Sequence, residues 1–127
     1  MGTNDSLVVL FGSRNDSQAP PEELTPRVFE TLSEVRRLAP TARILVIGPI
    51  WPNPTPTLAV QRNRDVLATQ AQEFGATFID PVGDQWFWDR SDLIGPDGVH
   101  PTDDGDGYMA AKIAPVMQES LAPPPLF

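Results

Sequence analysis

Residues 44–49 read Ile44-Leu45-Val46-Ile47-Gly48-Pro49. A continuous apolar run stopped by Gly-Pro predicts a short strand buried on both faces, as in a parallel sheet between helix layers. Upstream, Leu7-Val8-Val9-Leu10-Phe11 repeats the pattern and is stopped by Gly12. Downstream, Ala76-Thr77-Phe78-Ile79 is closed by Asp80-Pro81 and reads as a third strand.

Helical periods separate the strands. Leu24, Val28, Leu32, Val35 and Ala39 form one apolar stripe, predicting a helix from Pro21 or Thr25 to Leu38. Pro26 is tolerable in a first turn if Thr25 is the N-cap, and Pro40 ends the helix. Val60, Leu67, Ala71 and Phe74 share a face of a second helix over 58–74, with Gly75 where a C-cap glycine belongs. A last helix spans 103–121, with Met109, Ile113, Met117 and Leu121 spaced by four and Pro115 kinking it. The order β-α-β-α-β-α predicts a three-layer α/β/α domain over residues 1–121, followed by a proline-rich tail over 122–127.

Bulk properties exclude several classes. The chain has 127 residues, enough for one modest core, and its net charge of −8 argues against a nucleic-acid partner. With no cysteine, disulfides and thiolate metal sites are excluded. No apolar run approaches the roughly 18 residues of a membrane helix, and no signal peptide is visible. No histidine pair or clustered Asp spacing suggests a metal, and no cofactor is expected. Asp103-Asp104-Gly105-Asp106 is too short for a calcium loop and favours a helix N-terminus.

Open parallel sheets bind ligands beyond the carboxyl ends of their strands. That rule selects Gly12–Asp16, Gly48–Trp51 and the loop ending near His100. His100 is the single histidine, so any imidazole base must be this residue. In an Asp97-Gly98-Val99-His100 turn, Asp97 can reach the ring, fix its tautomer and stabilise the imidazolium. The bland alternative is a capping turn, with Thr102 or Asp103 capping the next helix. Asn15 can donate to a developing oxyanion, or can simply close an Asx turn. Trp51 lines a substrate pocket or caps the core edge. Trp86, Phe87 and Trp88 pack a long loop onto the sheet.

In combination, Gly12-Ser13-Arg14-Asn15-Asp16 and Asp97-Gly98-Val99-His100-Pro101 resemble two blocks of the SGNH or GDSL-type serine ester hydrolases, Gly-x-Asn-Asp and Asp-x-x-His-Pro. The resemblance spans residues 7–121 and matches the C-terminal portion of the family. It implies a flavodoxin-like SGNH-hydrolase fold, with Asn15 as oxyanion donor, His100 as general base and Asp97 as its partner. Ser13 stands where the block has glycine, and Ser13 and Arg14 would flank the substrate. Family members of this kind suggest an exported protein.

The family's Gly-Asp-Ser block, which carries the nucleophile, has no match here. Gly2-Thr3-Asn4-Asp5 and Asn4-Asp5-Ser6-Leu7 look similar to family blocks but precede the first strand, at the wrong end of the sheet. Ser17 is a conceivable substitute nucleophile. The expectation is therefore a fold lacking its first two strands and inactive alone. Strand 7–11 would be an apolar edge that pairs with a separate N-terminal segment or with a second copy. The implied activity is hydrolysis of carboxylic esters on lipids or carbohydrates. Alternatives are a non-catalytic interaction domain that retains the fold, and an acyltransferase using the same residues.

Overall fold

The computed structural model describes residues 7–12, 20–98 and 100–121. Within them the element order is β1 (Leu7–Phe11), α1 (Pro21–Leu38), β2 (Arg43–Ile47), α2 (Leu58–Glu73), β3 (Thr77–Ile79) and α3 (Asp103–Leu121), with a 3-10 turn at Ser91–Leu93. The strands form one parallel sheet in the order β1-β2-β3. Leu7 pairs with Arg43 and Phe11 with Ile47, while Ile47 pairs with Ile79. The carboxyl ends are therefore flush. Two further bonds extend the pattern, Gly12 N–H to Ile47 O at 2.7 Å and Gly48 N–H to Ile79 O at 2.9 Å.

The alternation of a strand divides the core into two layers. Leu45 and Ile47 point to one face, where they meet Ile79, Trp86, Phe87, Leu93 and Ile113. Ile44 and Val46 point to the other, against Leu32 of α1 and Leu67 and Ala71 of α2. Four of the five β2 residues, Ile44 to Ile47, are essentially buried, which is why that run had to be apolar. The result is the three-layer α/β/α arrangement, with α1 and α2 on one face and α3 on the other.

Several local expectations change. Helix α1 starts at Pro21, whose missing N–H is harmless at the first position, and no side chain caps it. Thr25 is thus interior rather than the N-cap, and Pro26 lies inside the helix. The helix tolerates Pro26 because Leu24 and Leu32 bury the inner face on either side of it. Helix α2 is capped by Thr57, which accepts from Val60 N–H at 3.2 Å. It ends in a Schellman motif: Gly75 adopts φ +67°, and Ala76 N–H reaches Ala71 O at 2.8 Å. On α3, Ile113 is buried but Leu121 is 43% exposed.

Candidate active site

The loop between β3 and α3 begins at the flush edge. Asp80 accepts Gly83 N–H at 3.0 Å and pairs with Arg64 of α2 at 3.2 Å, tying the loop's start to the helix layer. Trp86 and Phe87 then turn into the core beneath α3, and the ring of Phe87 lies 5.0 Å from that of Tyr108. Gln85, Phe87 and Asp89 all have positive φ, between 60° and 67°. Side chains rarely adopt this backbone, and burial of the aromatics is what holds it. Arg90 then forms a two-pronged bond with Asp92, at 3.1 and 3.2 Å. That bond holds the Asp92 carboxyl below its ordinary value and raises Arg90.

From Leu93 to Gly105 the chain is stapled to itself. Ile94 and Pro101 form an antiparallel bridge, and Gly95 N–H bonds His100 O at 2.7 Å. Thr102 N–H bonds Leu93 O at 2.9 Å, and the Thr102 hydroxyl accepts Gly105 N–H at 3.1 Å. Thr102 is thus the cap of α3 rather than Asp103. Gly105 is buried, and a Cβ there would lie 2.2 Å from Leu93 O. The helix can meet the 3-10 turn this closely only through glycine.

Inside this staple Gly98 takes φ +75°, and Asp97 folds back over the turn. One Asp97 oxygen accepts His100 N–H at 2.9 Å, and the other contacts His100 Nδ1. Such a carboxylate orients the ring and leaves Nε2 as the second nitrogen. The His100 side chain is 67% exposed and that of Asp97 45%, so a reacting group can approach the ring from outside.

The other sequence candidates fare differently. Ser13, Arg14 and Asn15 lie outside the described residues, as do Asp16 and Ser17. Trp51 follows β2 and is half-buried. Its indole N–H donates to Asn53 Oδ1 at 3.1 Å, an oxygen that also accepts from Thr55, so this N–H holds its own loop. Two residues escaped sequence reasoning. Asn63 and Gln70 are only 2% and 6% exposed on the inner face of α2, and polar residues there break the apolar stripe that revealed the helix. Among the described residues, neither atom of the Asn63 carboxamide has a partner, and nor does Gln70 Oε1. No group of three or more His, Asp or Glu suited to a metal occurs among the described residues. No helix there is long and apolar enough to cross a membrane.

The parallel sheet between helices, with an Asp–His turn beyond its third strand, is the architecture of the SGNH hydrolases. A peptidoglycan O-acetylesterase superposes with a TM-score of 0.73 at 18% identity, over 91% of this chain and 38% of its own. A lipase/acylhydrolase from Enterococcus faecalis gives 0.73 at 17% identity, over 95% and 65%. A carbohydrate esterase family 3 protein from Talaromyces cellulolyticus gives 0.72 at 18%, over 91% and 58%. The chain belongs to the GDSL-like lipase/acylhydrolase family, whose model matches residues 1–107. A GDSL lipase of Mycobacterium tuberculosis is 49% identical over 121 residues, covering 93% of this chain and 52% of the relative. The chain thus spans about half the length of the curated relative it matches.

Proposed function

We propose that these 127 residues supply the acid–base and oxyanion half of a carboxylic-ester hydrolase, with the nucleophilic serine contributed from outside them. The observation that carries this reading is the Asp97–His100 contact within a stapled loop at the carboxyl edge of the sheet. The serine hydroxyl attacks the ester carbonyl while His100 takes its proton. Asn15 donates to the oxyanion as the tetrahedral intermediate forms. The alcohol leaves with the proton from His100, and water cleaves the acyl-enzyme by the same relay. Ser13, Arg14 and the ring of Trp51 border the substrate. Acyl esters of lipids or carbohydrates are the substrate class, in keeping with a relative named as a lipase and neighbours named as carbohydrate and peptidoglycan esterases.

The chain alone is expected to be inactive toward p-nitrophenyl acetate. A longer protein carrying a Gly-Asp-Ser segment should hydrolyse it and lose that activity in His100→Ala. Robust turnover by the 127-residue chain, abolished in Ser17→Ala, would overturn the external-serine reading. A non-catalytic interaction domain is favoured by one observation, the lack of a Gly-Asp-Ser block. Failure of a fluorophosphonate serine probe to label the longer protein would select it.

A further inference from the structure

The chain contains three Asp-Gly bonds, Asp97-Gly98, Asp104-Gly105 and Asp106-Gly107. Such bonds are prone to close a succinimide, because glycine places no Cβ beside the attacking nitrogen and leaves the backbone free to turn. As sequence the three are equivalent, and the fold separates them. Asp104 and Asp106 lie in α3, where helical hydrogen bonds fix the backbone. Gly105 N–H is also held by the Thr102 hydroxyl at 3.1 Å, and Gly105 is buried against Leu93. Asp97 and Gly98 instead lie on an exposed turn, with the Asp97 side chain 45% exposed. Asp97 accepts His100 N–H at 2.9 Å. The ring closed by that bond includes the Gly98 nitrogen, so the side chain is already folded over the atom with which it would react. Gly98 has φ +75°, so the turn itself requires the glycine that makes the bond reactive.

We propose that Asp97-Gly98 is a site of isoaspartate formation in the folded protein, and that His100 is its brake. The Gly98 nitrogen attacks the carboxyl carbon of the Asp97 side chain. A C–N bond forms, and one carboxyl oxygen leaves as water, taking the amide proton and the acid proton. Water then adds back to the cyclic imide. Cleavage between the nitrogen and the side-chain carbonyl restores aspartate. Cleavage between the nitrogen and the main-chain carbonyl leaves isoaspartate. Neither mass nor oxidation state changes overall. In the product the main chain runs through the side-chain carbons and is one atom longer, and the free carboxylate is the former main-chain carbonyl. That carboxylate cannot reproduce both contacts with His100, so the turn dismantles its own acid–base pair. The same contacts oppose the reaction, because cyclisation must release the carboxylate oxygens from His100 N–H and from Nδ1. This chemistry needs only water, and it proceeds with or without a nucleophilic serine in the site.

A single tryptic peptide, residues 91–112, carries all three bonds and makes the comparison internal. The full chain is held at neutral pH for several weeks and digested, and isoaspartate is localised at each position by electron-transfer fragmentation. In the folded chain, isoaspartate at 97 should exceed that at 104 and at 106 at least tenfold. In urea, all three positions should react within threefold of one another, because the fold no longer separates them. His100→Ala should raise the rate at 97 at least threefold and leave 104 and 106 unchanged. The His100 side chain is exposed, so this variant should keep the circular dichroism spectrum of the parent. Equal accumulation at the three positions of the folded chain, or isoaspartate at 97 only in urea, would overturn the site. An unchanged rate at 97 in His100→Ala, or a rise at all three positions together, would overturn the brake.

Discussion

A methyl group added at residue 105 would come within 2.2 Å of a backbone oxygen, that of Leu93, and 2.7 Å of Pro101 Cβ. Neither neighbour can swing away, so Gly105→Ala must push α3 off the turn that carries His100. We expect a stability loss of about 1–3 kcal/mol by denaturant unfolding, with His100 displaced as well. Gly75→Ala provides the contrast. Nothing lies within 4 Å of its missing Cβ, and the cost is the left-handed backbone alone at φ +67°, about 1–2 kcal/mol. Its effect should be confined to stability. Asp97→Asn keeps the size of the side chain but removes the negative charge beside His100 Nδ1. In a complete enzyme kcat should fall by roughly 10²-fold or more, with KM little changed. The spacing of Asp97, Gly98 and His100 was legible because three residues suffice for the carboxylate to reach back over a turn. The reason for Gly105 was not, because it depends on Leu93, twelve positions earlier, being folded under the helix.

Helix α2 shows what periodicity reveals and what it hides. Its ends were readable near Leu58 and Gly75, though not its Thr57 cap, and removing that cap in Thr57→Ala should cost about 1 kcal/mol in thermal or denaturant melts. Its inner face was read from Val60, Leu67 and Ala71 alone. Asn63 and Gln70 share that face, and polar residues on a helix are assigned to solvent unless the packing is seen. For α1 the sequence left two starts open, Pro21 and Thr25, and the helix begins on Pro21. At the β3–α3 loop the Arg90–Asp92 pair gives a pH prediction. The Asp92 carboxyl is held below its ordinary value of 3.8 by Arg90, so the contribution of the pair is present above that pH and is lost as pH falls through the lowered value. The pair is exposed, so the Asp92→Asn difference in an acid titration should be small and should shrink with added salt.

At the scale of the molecule, one strand serves both layers. Leu45 is fully buried on the α3 side while Ile44 and Val46 are buried on the other. Leu45→Ala should therefore cost about 2–5 kcal/mol and unfold a chain of this size at modest denaturant. Such two-sided burial made β2 legible as an apolar run, and the intervening helices then fixed a parallel sheet. Asn15, the sequence's candidate oxyanion donor, lies outside the described residues. The stapling of residues 93–105 has an implication for how this architecture can be divided. The backbone bonds of the Asp97–His100 turn are local to residues 93–105, but Leu93 anchors it against Leu45, Ile47 and Ile113 in the core. A peptide cut out at these residues would therefore lose the core contact that holds the turn in place.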